Sequence, residues 1–272
     1  DAKKSRRLLE LFPNAEDEAK SSIVGCRSFL IPHLRDDEIE QAFAQVTGLR
    51  SLHNGGSGAF RALLAVPFNL WLIEKILRSG AQLSEFSRIT SEVQLLEMYW
   101  EYRIRKNDNS EDREFILKSL ASAMVEGHTL TVRRDRIYKP ELQAAWSGLF
   151  SDEILTELPG HEVSVAFTHN IIFDYAVSTH LLDTDPVKYA EYMAAEPSRP
   201  LFLRPSLVYH FTRLWHYDRP GFWKNYWAAA QQEEAKLRQM VRLVLPAVVV
   251  NEAREVADLN PMLERLRSNQ SP

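Results

Sequence analysis

The stretch that most constrains this chain is Val163-Ser-Val-Ala-Phe-Thr-His-Asn-Ile-Ile-Phe-Asp-Tyr-Ala-Val-Ser178. It opens on apolar/polar alternation: Val163, Val165 and Phe167 fall on one side, with Ser164 and Thr168 among the intervening positions. That is the period of a half-buried strand. Within two residues the spacing turns helical. Ile172, Tyr175, Ala176 and Thr179 share one face, and Phe173 and Val177 widen it. The two periods require a strand that feeds directly into a helix, with His169 and Asn170 at the joint. The first N–H groups of a helix have no partner inside it, so such a joint can receive an anion.

Around this joint the chain reads as helices. At 272 residues, it is long for one compact unit, and two or three small domains are expected. Hydrophobic residues are 45% and charged residues 26%, a globular balance. A net charge of -4 argues against a general nucleic-acid or acidic-membrane footprint. Cys26 is the sole cysteine, which excludes an internal disulfide and a cysteine-built zinc site, and points to a reducing, cytoplasmic setting. The longest aliphatic run, Leu243 to Val250, falls far short of the ~20 residues of a membrane span. No signal peptide is expected, because no apolar segment follows the charged start. The opening on Asp1 rather than methionine, already in helical pattern, is expected of a fragment of a longer protein.

Amphipathic stripes are expected over residues 1–12 and 15–31. A further helix is expected over 34–46, capped by Asp36 and buried through Ile39, Phe43 and Val46. His53-Asn-Gly-Gly-Ser-Gly58 invites a phosphate-loop reading, but no strand precedes it and no lysine follows Gly58, so a plain loop is expected. Pro67 divides the next apolar segment. One helix should end near Ala65 and a second begin at Pro67, packed through Phe68, Trp71, Leu72 and Ile76 and closed by Gly80. Ser91 with Gln94 has the capping-box form and opens a helix to about Arg105. A polar break, Lys106 to Ser110, reads as a domain boundary.

Beyond it the order is a helix over 111–126, a short strand over Thr129 to Val132, a helix over 141–149, and a short acidic helix from Ser151 to Leu158. The turn Pro159-Gly160 leads into the opening strand. This order is that of a small winged helix with a β-hairpin. Residues 184–272 read as a helical repeat-like segment punctuated by prolines, including Pro246. Its aromatic cluster, Trp215, Phe222, Trp223, Tyr226 and Trp227, reads as core first and interaction surface second. The fold expected is therefore mainly α: a helical lid-like domain (1–106), a winged-helix-like domain (107–183) and the helical segment (184–272).

Two segments carry a family resemblance. Leu64-Ala-Val-Pro-Phe-Asn-Leu-Trp-Leu72 resembles the lid helix of STAND-type signalling ATPases, the AAA+-related group that includes the NACHT and NB-ARC proteins. Phe167-Thr-His-Asn-Ile-Ile-Phe-Asp-Tyr175 resembles their winged-helix segment. The resemblance implies that Pro67 touches adenine and His169 senses a nucleotide phosphate. It further implies an ATPase core upstream of Asp1, binding ATP or ADP with magnesium. The chain itself has no Walker A lysine and no Walker B strand, so neither ATPase activity nor a cofactor of its own is expected. Its partners would be that upstream domain and a protein or ligand at the helical tail.

No constellation points to an independent enzyme or a metal. His161, His169 and His180 lack metal-ligand spacing, and His210 and His216 lie in the tail. Asp174 and Tyr175 are expected to tie their helix into its domain. Two alternatives stand beside the ATPase reading. One is a DNA-binding module, with Arg133, Arg134, Arg136 and Lys139 on phosphate and the acidic segment 151–158 against it. The other is a protein-binding helical scaffold.

Overall fold

The computed structural model describes residues 33–46, 48–158, 163–231 and 235–268. The stripes expected over 1–12 and 15–31, Cys26, the turn at Pro159-Gly160 and His161 lie outside the described residues. The fold is mainly α with one small sheet. Four helices come first: α1 (Asp36–Gln45), α2 (Leu49–Gly55), α3 (Gly58–Leu64) and α4 (Pro67–Arg78). Asp36 is the first residue of α1 rather than its cap, because Glu38 Oε2 accepts the backbone N–H of Arg35 at 2.8 Å. The glycine-dense stretch is not a plain loop. His53 to Gly55 end α2, and Ser57 Oγ accepts the N–H of Phe60 and opens α3.

Pro67 acts as expected. Val66 is extended, as a residue before proline prefers, and Pro67 is the first residue of α4. Gly80, at φ +91°, takes the left-handed conformation just past the helix end. A 3-10 turn (Leu83–Arg88) leads to α5 (Glu92–Trp100). Ser91 Oγ accepts from Gln94 N, while Gln94 Oε1 accepts from Thr90 N at 2.8 Å, so the reciprocal arm of the cap lands one residue early. A π turn (Glu101–Arg105) completes this stretch. It aims Arg105 at Glu97 (2.7 Å) and Glu114 (3.0 Å) and leaves the Arg103 carbonyl to accept from Arg113 at 2.9 Å.

Next come α6 (Ser110–Gly127), β1 (Val132–Arg133), 3-10 turns at Arg134–Arg136 and Pro140–Leu142, α7 (Gln143–Ser151), β2 (Leu155–Leu158), β3 (Ser164–Phe167) and α8 (Asn170–His180). The sheet is antiparallel in the order β1-β3-β2, with Val132 opposite Val165 and Leu155 opposite Phe167. Two expectations fail here. The strand over Thr129 to Val132 shrinks to Val132–Arg133, because Thr129 Oγ1 accepts the N–H of Thr131 and forms a turn. The helix over 151–158 does not form: Ser151 ends α7, and after a turn residues 155–158 are β2. Neither expected cap is free for it: Ser151 Oγ donates back to Gly148 O, and the Asp152 carboxylate is held by Arg113 at 2.6 Å and Arg103 at 3.2 Å.

The opening feature of the sequence is observed as β3 leading into α8. Val165 and Phe167 point inward, while Val163 lies outside the strand and is half exposed. In α8, every residue from Ile172 to Ser178 is buried, so the helix is embedded rather than lying on a surface.

The tail is α9 (Pro186–Ala194), α10 (Arg199–Phe202), α11 (Arg204–Tyr217), α12 (Arg219–Ala230), α13 (Ala235–Glu252), a 3-10 turn (Val256–Leu259) and α14 (Asn260–Arg267). Helix α11 lies between α8 and α13, and α12 packs on both α11 and α13. Pro246 does not end a helix. It sits inside α13, where Val244, Leu245, Val248 and Val249 are buried and hold the helix through the missing N–H. Trp215, Phe222 and Trp223 are core, while Tyr226 and Trp227 are half-buried beside it. No helix among the described residues is long and apolar enough to cross a membrane.

Candidate functional site

Helix α4 carries two faces. Asn69, Leu72, Ile73 and Ile76 are buried. Phe68, Trp71 and Lys75, spaced three and four residues apart, make a second, half-buried face. As expected, Phe68 and Trp71 pack against the core, Trp71 on the buried Tyr99, and from its edge they also meet the joint between β3 and α8. The His169 ring meets Trp71 edge-on, with centroids 4.6 Å apart and planes at 66°, and meets Phe68 at 5.1 Å and 69°. Phe68 and Trp71 stack on each other at 5.6 Å. Lys75 Nζ lies 5.7 Å from the Trp71 ring centroid and bonds Glu153 Oε2 at 2.6 Å, tying α4 to the turn before β2.

Pro67 is exposed at the head of α4, one residue from Phe68. The two residues singled out by resemblance, far apart in sequence, thus stand at one junction. His169 is the N-cap residue of α8, yet its side chain makes no cap bond. The carbonyl of His169 accepts from Ile172 (3.0 Å) and Phe173 (3.3 Å), so the ring is left to the aromatic pair. Burial alone pushes the His169 pKa below its ordinary value. The folded ring therefore holds its proton less well than the unfolded one. Its contribution to stability is lost as pH falls below the ordinary histidine range. By proton NMR, His169 should titrate at lower pH than an exposed histidine, and Trp71→Ala should bring it back toward the ordinary value.

Asp174 and Tyr175 tie α8 to its neighbours. Asp174 Oδ1 accepts from Ser206 Oγ at 2.7 Å, joining α8 to α11, and the Tyr175 hydroxyl donates to Glu97 Oε2, joining α8 to α5. His180 lies against Trp100 with ring centroids 5.5 Å apart, His210 is buried against Tyr189, and His216 Nε2 bonds Glu252 at 3.0 Å. Among the described residues, no three His, Cys, Asp or Glu side chains form a group that could hold a metal.

The basic cluster is largely engaged. Arg133 is ion-paired with Asp135. Arg134 Nη1 donates to Glu157 Oε1 at 2.8 Å, and its guanidinium lies 4.9 Å from the Tyr138 ring centroid. Lys139 sits 4.8 Å over the Phe115 ring, and Arg136 is exposed beside Asp135. Helix α7, which precedes β2, has no charged side chain.

Sequence reasoning missed the meeting of Phe68 and Trp71 with His169, because an aromatic stripe reads as core whatever else it touches. It also missed the Asp152 clamp, whose arginines lie 39 and 49 residues away in sequence. No protein-family model matches the chain, and no curated protein matches it with significance.

Proposed function

We propose that this chain is the regulatory and sensor segment of a STAND-like signalling ATPase, without catalysis of its own. The observation that carries the reading is the meeting of His169 with Phe68 and Trp71, next to Pro67. The lid-like helix and the histidine of the winged-helix-like segment come together where such a protein would bridge a nucleotide. The residues fit that ligand in kind. The aromatic pair offers a face for a base, and the N-terminus of α8 offers unpaired N–H groups for a phosphate. Lids and hinges of this sort gate a bound nucleotide without reacting with it.

The helix–strand–helix–strand–strand order, with β3 central, supports the winged-helix reading. The helices stacked on α8 support a sensor array, which would place a protein or ligand partner on the tail. Engagement of Arg133 and Arg134 by Asp135 and Glu157 weighs against phosphate contacts along a nucleic acid. The ATPase core, its magnesium and the cytoplasmic location belong to the same proposal.

The test is nucleotide analysis of the full-length protein made from its natural reading frame. The expected result is ADP released on denaturation in near-stoichiometric amount, with a Gly-x-x-x-x-Gly-Lys-Ser/Thr stretch encoded upstream. A full-length protein with neither contradicts the reading.

A further inference from the structure

A cleft of about 270 Å³ lies where α5, the turn after α8 and the α11–α12 joint meet. It falls just below the range for ligand pockets, roughly 300–1,000 Å³. One wall is a single face of α11. His210 and Arg213 stand one turn apart, and Leu214 and Tyr217 continue the face. Glu97 and Asp218 also line it.

The polar groups here are not all paired. His210 is 2% exposed, and its Nε2 has no hydrogen-bond partner. Burial drives its pKa down to about 4, against the pull of a bond to the Ser178 carbonyl. The ring is therefore neutral. Arg213 Nη1 donates to Ser178 O at 3.3 Å, but Arg213 Nε is buried, has no hydrogen bond and lies 3.7 Å from Glu97 Oε2. Asn225 Nδ2 donates to the carbonyl of Thr184, which also lines the cleft, and Asn225 Oδ1 is buried without a partner. Two of these atoms, His210 Nε2 and Arg213 Nε, belong to residues that line the cleft, and buried polar groups left without a partner mark a place where a polar ligand is accommodated.

Charge selects its class. Glu97 is desolvated, yet bonds from Tyr175 and Arg105 outweigh that and hold its carboxyl below the usual range, so it is ionised. The lining thus offers one guanidinium, two carboxylates and a neutral imidazole. A dianion would face both carboxylates, and a polyamine would face Arg213.

We propose that this cleft binds a small zwitterion, a free α-amino acid with an apolar side chain. The ligand carboxylate pairs with Arg213. Its ammonium faces Glu97 and Asp218, and its side chain lies on Leu214 and Tyr217. The proposal does not depend on the nucleotide reading, since its residues are different and its test uses this chain alone.

The test is calorimetric titration of the chain with L-leucine and L-phenylalanine. Saturable one-site binding is expected, with N-acetyl-L-leucine and L-leucinamide each weaker by about tenfold or more, the loss of one charge-assisted bond. Arg213→Met should weaken L-leucine by a similar factor. Tyr217 is 59% exposed, so Tyr217→Ala should fold normally and bind several-fold more weakly. No saturable heat with either amino acid overturns the proposal. So does equal binding of the blocked analogues, or full affinity in a folded Arg213→Met or Tyr217→Ala protein.

Discussion

Replacing Asp152 by alanine is expected to lower the unfolding free energy by about 3–5 kcal/mol, the usual cost of stranding a buried charge. Asp152 Oδ2 accepts from Arg113 at 2.6 Å, and its Oδ1 lies 3.2 Å from Arg103 Nη2. The Arg113 and Arg103 side chains are only 8% and 13% exposed, against 26% for Asp152, so water reaches the two cations only from the carboxylate's side. The clamp joins the π turn, α6 and the turn into β2, and it explains why residue 148 is glycine. A Cβ there would lie 2.2 Å from Arg113 Nη2, on a guanidinium that Asp152 and the Arg103 carbonyl hold through Nη1. Urea denaturation reads the effect. Adding Arg113→Met to Asp152→Ala should recover more than about 1 kcal/mol, because it removes the stranded charge. A loss under about 1 kcal/mol for Asp152→Ala would show that the clamp does not hold this turn.

Asp174→Asn is expected to have the opposite sign and to depend on pH. Burial raises the Asp174 pKa from 3.8 to about 6, and the Ser206 bond only partly offsets it. The folded state keeps this proton more tightly than the unfolded chain. Stability therefore falls as pH rises between these two values, and the deficit is complete above about pH 6, where it amounts to at most about 3 kcal/mol. Asparagine keeps an acceptor for Ser206 and removes the charge. The variant should gain about 2–3 kcal/mol at pH 8 and nothing at pH 4. Glu92, raised by burial against its 2.7 Å bond from Tyr209, leaves a residual slope of the same sign in the variant. A variant less stable than the parent at pH 8 would mean that ionised Asp174 has a cationic partner.

The parts of this fold that local chemistry decides were legible in the sequence. Pro67 can open a helix but not continue one, and the strand-to-helix switch at His169 follows from two periods that no single element satisfies. The parts decided at long range were not. Ser151 and Asp152 look like a helix start until Arg103 and Arg113 arrive from other elements and occupy the carboxylate. Pro246 looks like a break until buried neighbours along α13 outweigh the lost bond. At the candidate site, resemblance supplied Pro67 and His169. Phe68 and Trp71 read as core because an aromatic stripe gives no sign of whether it faces solvent, a ligand or a histidine from another element.

The most direct measurement of the proposed function is ADP release from the full-length protein with and without His169→Ala, followed with a fluorescent ADP after dilution into excess unlabelled nucleotide. Loss of a charge-assisted phosphate contact is worth about 1.5–3 kcal/mol, so release should accelerate by about tenfold or more. Arg136→Ala, on the exposed basic turn, should leave the rate unchanged. Release at the parental rate from the His169→Ala protein would contradict the assignment of this junction to a nucleotide.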